Sequence, residues 1–133
     1  MLTLALAASW ASMVFHNQWE LPLTPLDFEN TGPLAVDIAL LVVCWAWPWS
    51  RGAWTLILAW GLLNMVVGGL VTVLPLPVLP FAPEQTVDHY LVHLVYAGGQ
   101  LPLVLVAVGA LRQLRTQKQW NSVDGGRDDR ADA

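Results

Sequence analysis

Four long apolar segments, separated by prolines and acidic residues, set the pattern of this 133-residue chain. The first covers residues 2–18 and, as a helix, spans roughly 25 Å, just enough to cross the hydrocarbon layer of a bilayer. A connector with Glu20, Pro22, Pro25, Asp27 and Glu29 follows, a composition that ends a helix and belongs in water or among headgroups. The second segment, 33–48, opens with Pro33, whose missing N–H costs nothing in a first turn, and stops at Pro48. That start places Asp37 in the first turn, where the positive end of the helix dipole suits a carboxylate. A third segment runs over 53–74, until Pro75, Pro77, Pro80 and Pro83 impose an extended, stiff connector. The fourth covers 87–111. The N-terminal stretch lacks the positive n-region of a secretory signal and is read as the first helix.

The polar residues inside these segments recur at helical spacing. His89, His93, Tyr96 and Gln100 follow intervals of 4, 3 and 4, which keeps them on one stripe, and Ala5, Ser9, Ser12 and His16 repeat that spacing on the first helix. Gly61, Asn64, Gly68 and Thr72 form a stripe of small and hydrogen-bonding residues on the third, and Asp37 and Cys44 share a face of the second. Polar side chains in lipid turn toward protein, so each stripe marks an inward face. The expected fold is an all-α integral membrane protein, a four-transmembrane-helix bundle over residues 1–120 that closes on itself. Ser9, Ser12, Asn64 and Gln100 are expected to serve helix packing, with Asn64 and Gln100 near mid-helix and able to bond each other.

Charge distribution orients the bundle. All six basic residues are Arg51 or lie between Arg112 and Arg130, so the positive-inside rule puts both termini in the cytoplasm. Trp45, Trp47, Trp49 and Trp54 bracket Arg51 and read as interfacial anchors at that surface, an aromatic binding box being the alternative. Residues 121–133 carry six charges and one aliphatic residue larger than alanine, the composition of a disordered cytoplasmic tail. A hydrophobic content of 56% against 12% charged residues makes the bilayer the solvent. The absence of a basic face excludes nucleic acid as a partner. Scarce lysine and an Ala/Leu/Val/Trp-rich composition suggest a multi-pass protein of a bacterial inner membrane.

Candidate chemistry centres on His16, Asp37, His89, His93 and Tyr96, all assigned to the outer half of the bundle. Two imidazoles at i and i+4, with a third histidine and a carboxylate from neighbouring helices, suit a metal. Two imidazoles on different helices suit haem b, and His93 with Tyr96 beside an apolar slot suits a quinone. The bland alternative leaves His16 and His89 at the interface and pairs Asp37 with His93. Asp37 alone would suit a small oligomeric transporter. Cys44 is the single cysteine, and no nucleophile elbow or phosphate loop is present, which weighs against an enzyme. Short loops and the lack of a soluble domain favour an accessory, assembly or stabilising subunit of a larger membrane complex, with a membrane-protein partner or self-association. The alternative is a histidine site with a redox or metal-handling role.

Overall fold

The computed structural model describes residues 1–79 and 82–128, with side chains to Trp120. The described residues are helical apart from turns and connectors: α1 Leu2–Glu20, α2 Phe28–Ala46, α3 Arg51–Leu62 continuing as a π-helical segment Leu63–Val71, and α4 Val87–Asp128. Three stretches are long and apolar enough to cross a membrane, Phe28–Ala46, Arg51–Val71 and Val87–Trp120. The fourth helix, α1, has 19 residues but ends in the polar run His16, Asn17, Gln18, Trp19 and Glu20.

The helices form a ring in which α1 packs on α2 and α4, and α3 packs on α2 and α4. Inside, polarity changes along the axis. At the end where Arg51 lies, Ala5, Leu6, Cys44, Ala53, Ile57, Leu103 and Ala107 make an apolar core. Beyond it Ser9, Gln100 and Tyr96 are buried, and at the far end His89 and His93 are buried. The outer faces carry exposed aliphatic side chains such as Ile38, Val42, Leu56, Leu94 and Leu105. An interior more polar than the exterior is the arrangement a bilayer favours, since lipid cannot satisfy a hydrogen bond.

Several boundaries differ from expectation. α2 begins at Phe28, five residues before Pro33, with Asp27 at its N-cap position and Glu29 in its first turn. An acid in the first turn complements the dipole, and Pro33 then removes a single backbone hydrogen bond inside the helix. This corrects the position of Asp37. It is the tenth of nineteen residues, at mid-helix, and the dipole argument no longer applies to it. α1 extends to Glu20, which therefore belongs to the helix and not to the connector. α3 starts earlier too, after Ser50 Oγ accepts a hydrogen bond from Ala53 N at 3.3 Å.

α4, expected over 87–111, instead continues to Asp128. Residues 112–120 are mostly strong helix formers, and a helix already nucleated in the bundle propagates at little cost. The remaining tail residues, 129–133, lie outside the described residues, as does Pro80 of the proline connector.

Close approach of α4 to its neighbours depends on particular glycines. A Cβ at Gly69 would stand 2.7 Å from Ala97 Cβ and 3.0 Å from its Cα, and one at Gly99 would overlap Ser12. Gly98, the neighbour of Gly99 in the chain, has open space where its Cβ would be. Gly69→Ala should therefore destabilise the bundle by about 1–3 kcal/mol through overpacking. Gly98→Ala should be neutral or stabilise it by up to about 1 kcal/mol through helix propensity. Unfolding followed by circular dichroism in micelles tests this order, and equal effects would show that the α3–α4 contact is looser than described.

Candidate histidine site

The inward stripes of α1 and α4 meet at the end where α1 stops and α4 begins. Midway along this seam, Ser9 Oγ donates to Gln100 Oε1 at 2.6 Å, and Gln100 Nε2 donates to Ser9 O at 3.2 Å and Ser12 Oγ at 3.3 Å. These bonds set the register of the two helices. Two turns further along, His16 Nε2 stands 3.0 Å from His93 Nε2, with the rings edge to face and centroids 4.3 Å apart. The His89 ring lies 4.6 Å from that of His93, and the Tyr96 ring 5.2 Å from that of His16. A cavity of about 490 Å³ opens beside them, its wall including Glu20, Gly68, Thr72 and Glu84.

Hydrogen bonds on the far side of each ring assign its tautomer. Thr24 O can only accept, so Asn30 presents Nδ2 to it at 2.7 Å and turns Oδ1 toward Asn17. Asn17 Nδ2 donates to that oxygen at 2.8 Å, which leaves Asn17 Oδ1 facing His16 Nδ1 at 3.0 Å. His16 must then carry its proton on Nδ1. His93 Nδ1 faces Gly69 O at 3.2 Å, one of the last carbonyls of the π-helical segment and without an intrahelical donor to spare, so His93 is also protonated on Nδ1. His89 Nδ1 is 2.7 Å from Glu20 Oε2. Network assignment thus places all three protons on Nδ1 and leaves three bare Nε2 atoms. Two of these lie 3.0 Å apart, close enough for one cation beside them to be bound by both. The third, His89 Nε2, is buried and has no hydrogen-bond partner among the described residues.

Of the five residues expected to converge, the structure brings together His16, His89, His93 and Tyr96. Asp37 lies apart. Its Oδ1 accepts from Trp60 Nε1 at 2.8 Å, and it borders a separate cleft of about 190 Å³ with Trp10, Leu34 and Ile38. The pairing of Asp37 with His93 is thereby ruled out by its place at the middle of α2. Asn64 and Gln100 do not bond each other either. Asn64 Oδ1 accepts from Tyr96 Oη at 2.8 Å, because Gln100 faces α1. Trp45, Trp47 and Trp49 are exposed around Arg51, Trp54 Nε1 donates to Pro48 O at 2.9 Å, and of the four only Trp49 and Trp54 share the wall of a small cleft, with Gln113 and Gln117. Among the described residues, no three His, Cys, Asp or Glu side chains already stand together at metal-binding geometry. Nor is there a slot for haem between His16 and His93, whose rings are in direct contact where a flat macrocycle would have to lie.

Sequence reasoning missed Glu20, Asn17 and Asn30. The signal for Glu20 was present, since adding four residues to the stripe ending at His16 lands on it. Asn17 and Asn30 gave no such signal, because the relay between them exists only once α2 folds beside α1. Histidine nitrogen NMR on chelator-treated protein in micelles, above the ordinary imidazole titration range, should find all three rings in the Nδ1–H form. Asn17→Ala should release His16 alone to a tautomer mixture. An Nε2–H form of His93 in the wild type would overturn the assignment.

No family model matches the chain, and neither the curated proteins nor the solved structures contain a match, so its chemistry rests on the geometry of this site.

Proposed function

We propose that this protein is a four-span membrane module that binds a ligand at an outward-facing histidine cavity, in a metal-handling or redox role. The observation that carries this reading is the gathering of His16, His89 and His93, from α1 and α4, on the wall of one cavity, each ring with its Nδ1 already bonded. A structural bundle has no need of that arrangement, since a buried imidazole nitrogen without a partner is a cost unless something occupies it.

Support for the orientation comes from charge and aromatic placement. Arg51, Arg112, Arg115 and Lys118 belong to the end opposite the histidines, and exposed Trp45, Trp47 and Trp49 surround Arg51. By the positive-inside rule both termini are cytoplasmic and the cavity faces outward. α1 is the short span, its polar last turn at the outer surface, as its role in lining the cavity requires.

Purification from the native membrane in mild detergent, followed by metal analysis, an absorption spectrum and lipid extraction, tests the proposal. The wild type is expected to carry one bound species that His93→Ala loses while keeping its helical circular dichroism. Asp37→Asn should retain the species, because Asp37 is not part of the cavity wall. A wild-type sample without ligand, but with a stoichiometric membrane partner, would favour a stabilising subunit of a larger complex instead.

A further inference from the structure

Resting on the ligand-binding reading, we propose that the occupant is a first-row divalent transition-metal ion of the zinc class. It is held by Nε2 of His16 and His93, with His89 as the third nitrogen ligand and one coordination position open to the cavity.

Distance is the first argument. Two nitrogens about 2.05 Å from one metal are about 2.9 Å apart at a right angle and about 3.3 Å apart at the tetrahedral angle. The observed 3.0 Å between His16 and His93 lies inside that interval. Bonds on the opposite side of each ring are the second. A metal-ligating histidine donates its other N–H to a carboxylate, carbonyl or amide oxygen, which orients the ring and raises the basicity of the ligating nitrogen. Here Glu20, Gly69 and Asn17 fill those places for His89, His93 and His16.

His89 lies one turn before His93 on α4, and its buried Nε2 has no bond to give up among the described residues. Its ring has to move into the cavity to complete the set, since three donors do not yet converge. The volume of about 490 Å³ leaves room for this, and Glu20, on the last turn of α1, is long enough to follow.

Charge and donor inventory separate a metal from a quinone. Glu20 and Glu84 line the cavity and, among the described residues, no lysine or arginine does, so two carboxylates are at hand to offset two positive charges. A quinone carbonyl needs a donor, whereas the Nδ1–H tautomers of His16 and His93 present lone pairs at Nε2 and the Tyr96 hydroxyl is already given to Asn64. Imidazole donors of this kind select zinc, copper, iron or nickel over magnesium or calcium.

The full chain in micelles, stripped with chelator, would be titrated with Co²⁺ as a spectroscopic probe and then with Zn²⁺ as competitor. We expect one Co²⁺ per chain with visible ligand-field bands that Zn²⁺ abolishes. His16→Gln and His93→Gln should remove the bands, and Glu20→Gln should weaken binding about 10–100-fold with the fold unchanged. The Glu20 variant keeps all three ligands and so serves if the histidine variants misfold. Absence of saturable Co²⁺ or Zn²⁺ binding to the wild type, or binding unaffected by Glu20→Gln and by loss of both His16 and His93, would overturn the proposal. If the native sample then still carries an organic ligand lost in His93→Ala, the metal fails and the ligand-binding reading stands; if it carries nothing, both fail.

Discussion

Polar groups sealed inside an apolar environment must satisfy one another, and the seam between α1 and α4 is where this constraint governs the molecule. Ser9 and Gln100 exchange hydrogen bonds across it, and Gln100 is fully buried. Each such bond contributes only about 0.6 kcal/mol in membranes, but a slip of one residue would leave several groups unpaired at once. Register is therefore specified by the penalty for the wrong alignment more than by the gain from the right one. The same alignment brings His16 to His93. The histidine site is thus a consequence of the register set by Ser9 and Gln100, two turns away.

The π-helical segment contributes to the same end of the bundle. Its wider turns carry Gly68 and Gly69 against Tyr96 and Ala97, close enough that neither position has room for a side chain without movement. Near its end the helix has free carbonyls, and one of them, Gly69 O, meets His93 Nδ1. A third turn of contact comes from Asn64, which accepts from Tyr96. The segment therefore supplies the backbone acceptor that orients His93 and takes the tyrosine hydroxyl out of the cavity's chemistry.

Division of the interior into an apolar and a polar half separates two tasks. Ile57, Leu103 and Ala107, all fully buried, pack the end near Arg51 without any polar obligation. Van der Waals packing there can hold the helices together whatever happens at the histidines. Asp37 falls between the two halves. Its bond to Trp60 joins α2 to α3 at mid-helix, a place where an acid is costly and an indole N–H is a suitable partner.

Helix number and inward faces were legible in the chain, because the period of 3.6 residues is a property of the sequence itself. All four members of the stripe His89, His93, Tyr96 and Gln100 are buried, as their spacing required. Helix ends were less legible. Pro33 is compatible both with a first turn and with a helix interior, and only the Asp27 start decided between them, moving Asp37 away from the histidines. Glycine pairs were ambiguous for a similar reason, since Gly98 and Gly99 point in directions 100° apart and only Gly99 meets a neighbour. The tautomers lay beyond any sequence pattern. They follow from a relay through Thr24, Asn30 and Asn17 that joins two helices and their connector, and from a carbonyl freed at the end of a third. Periodicity determined which side chains face inward, and tertiary structure decided what each one meets there, because hydrogen-bond direction depends on atoms brought together from distant parts of the chain.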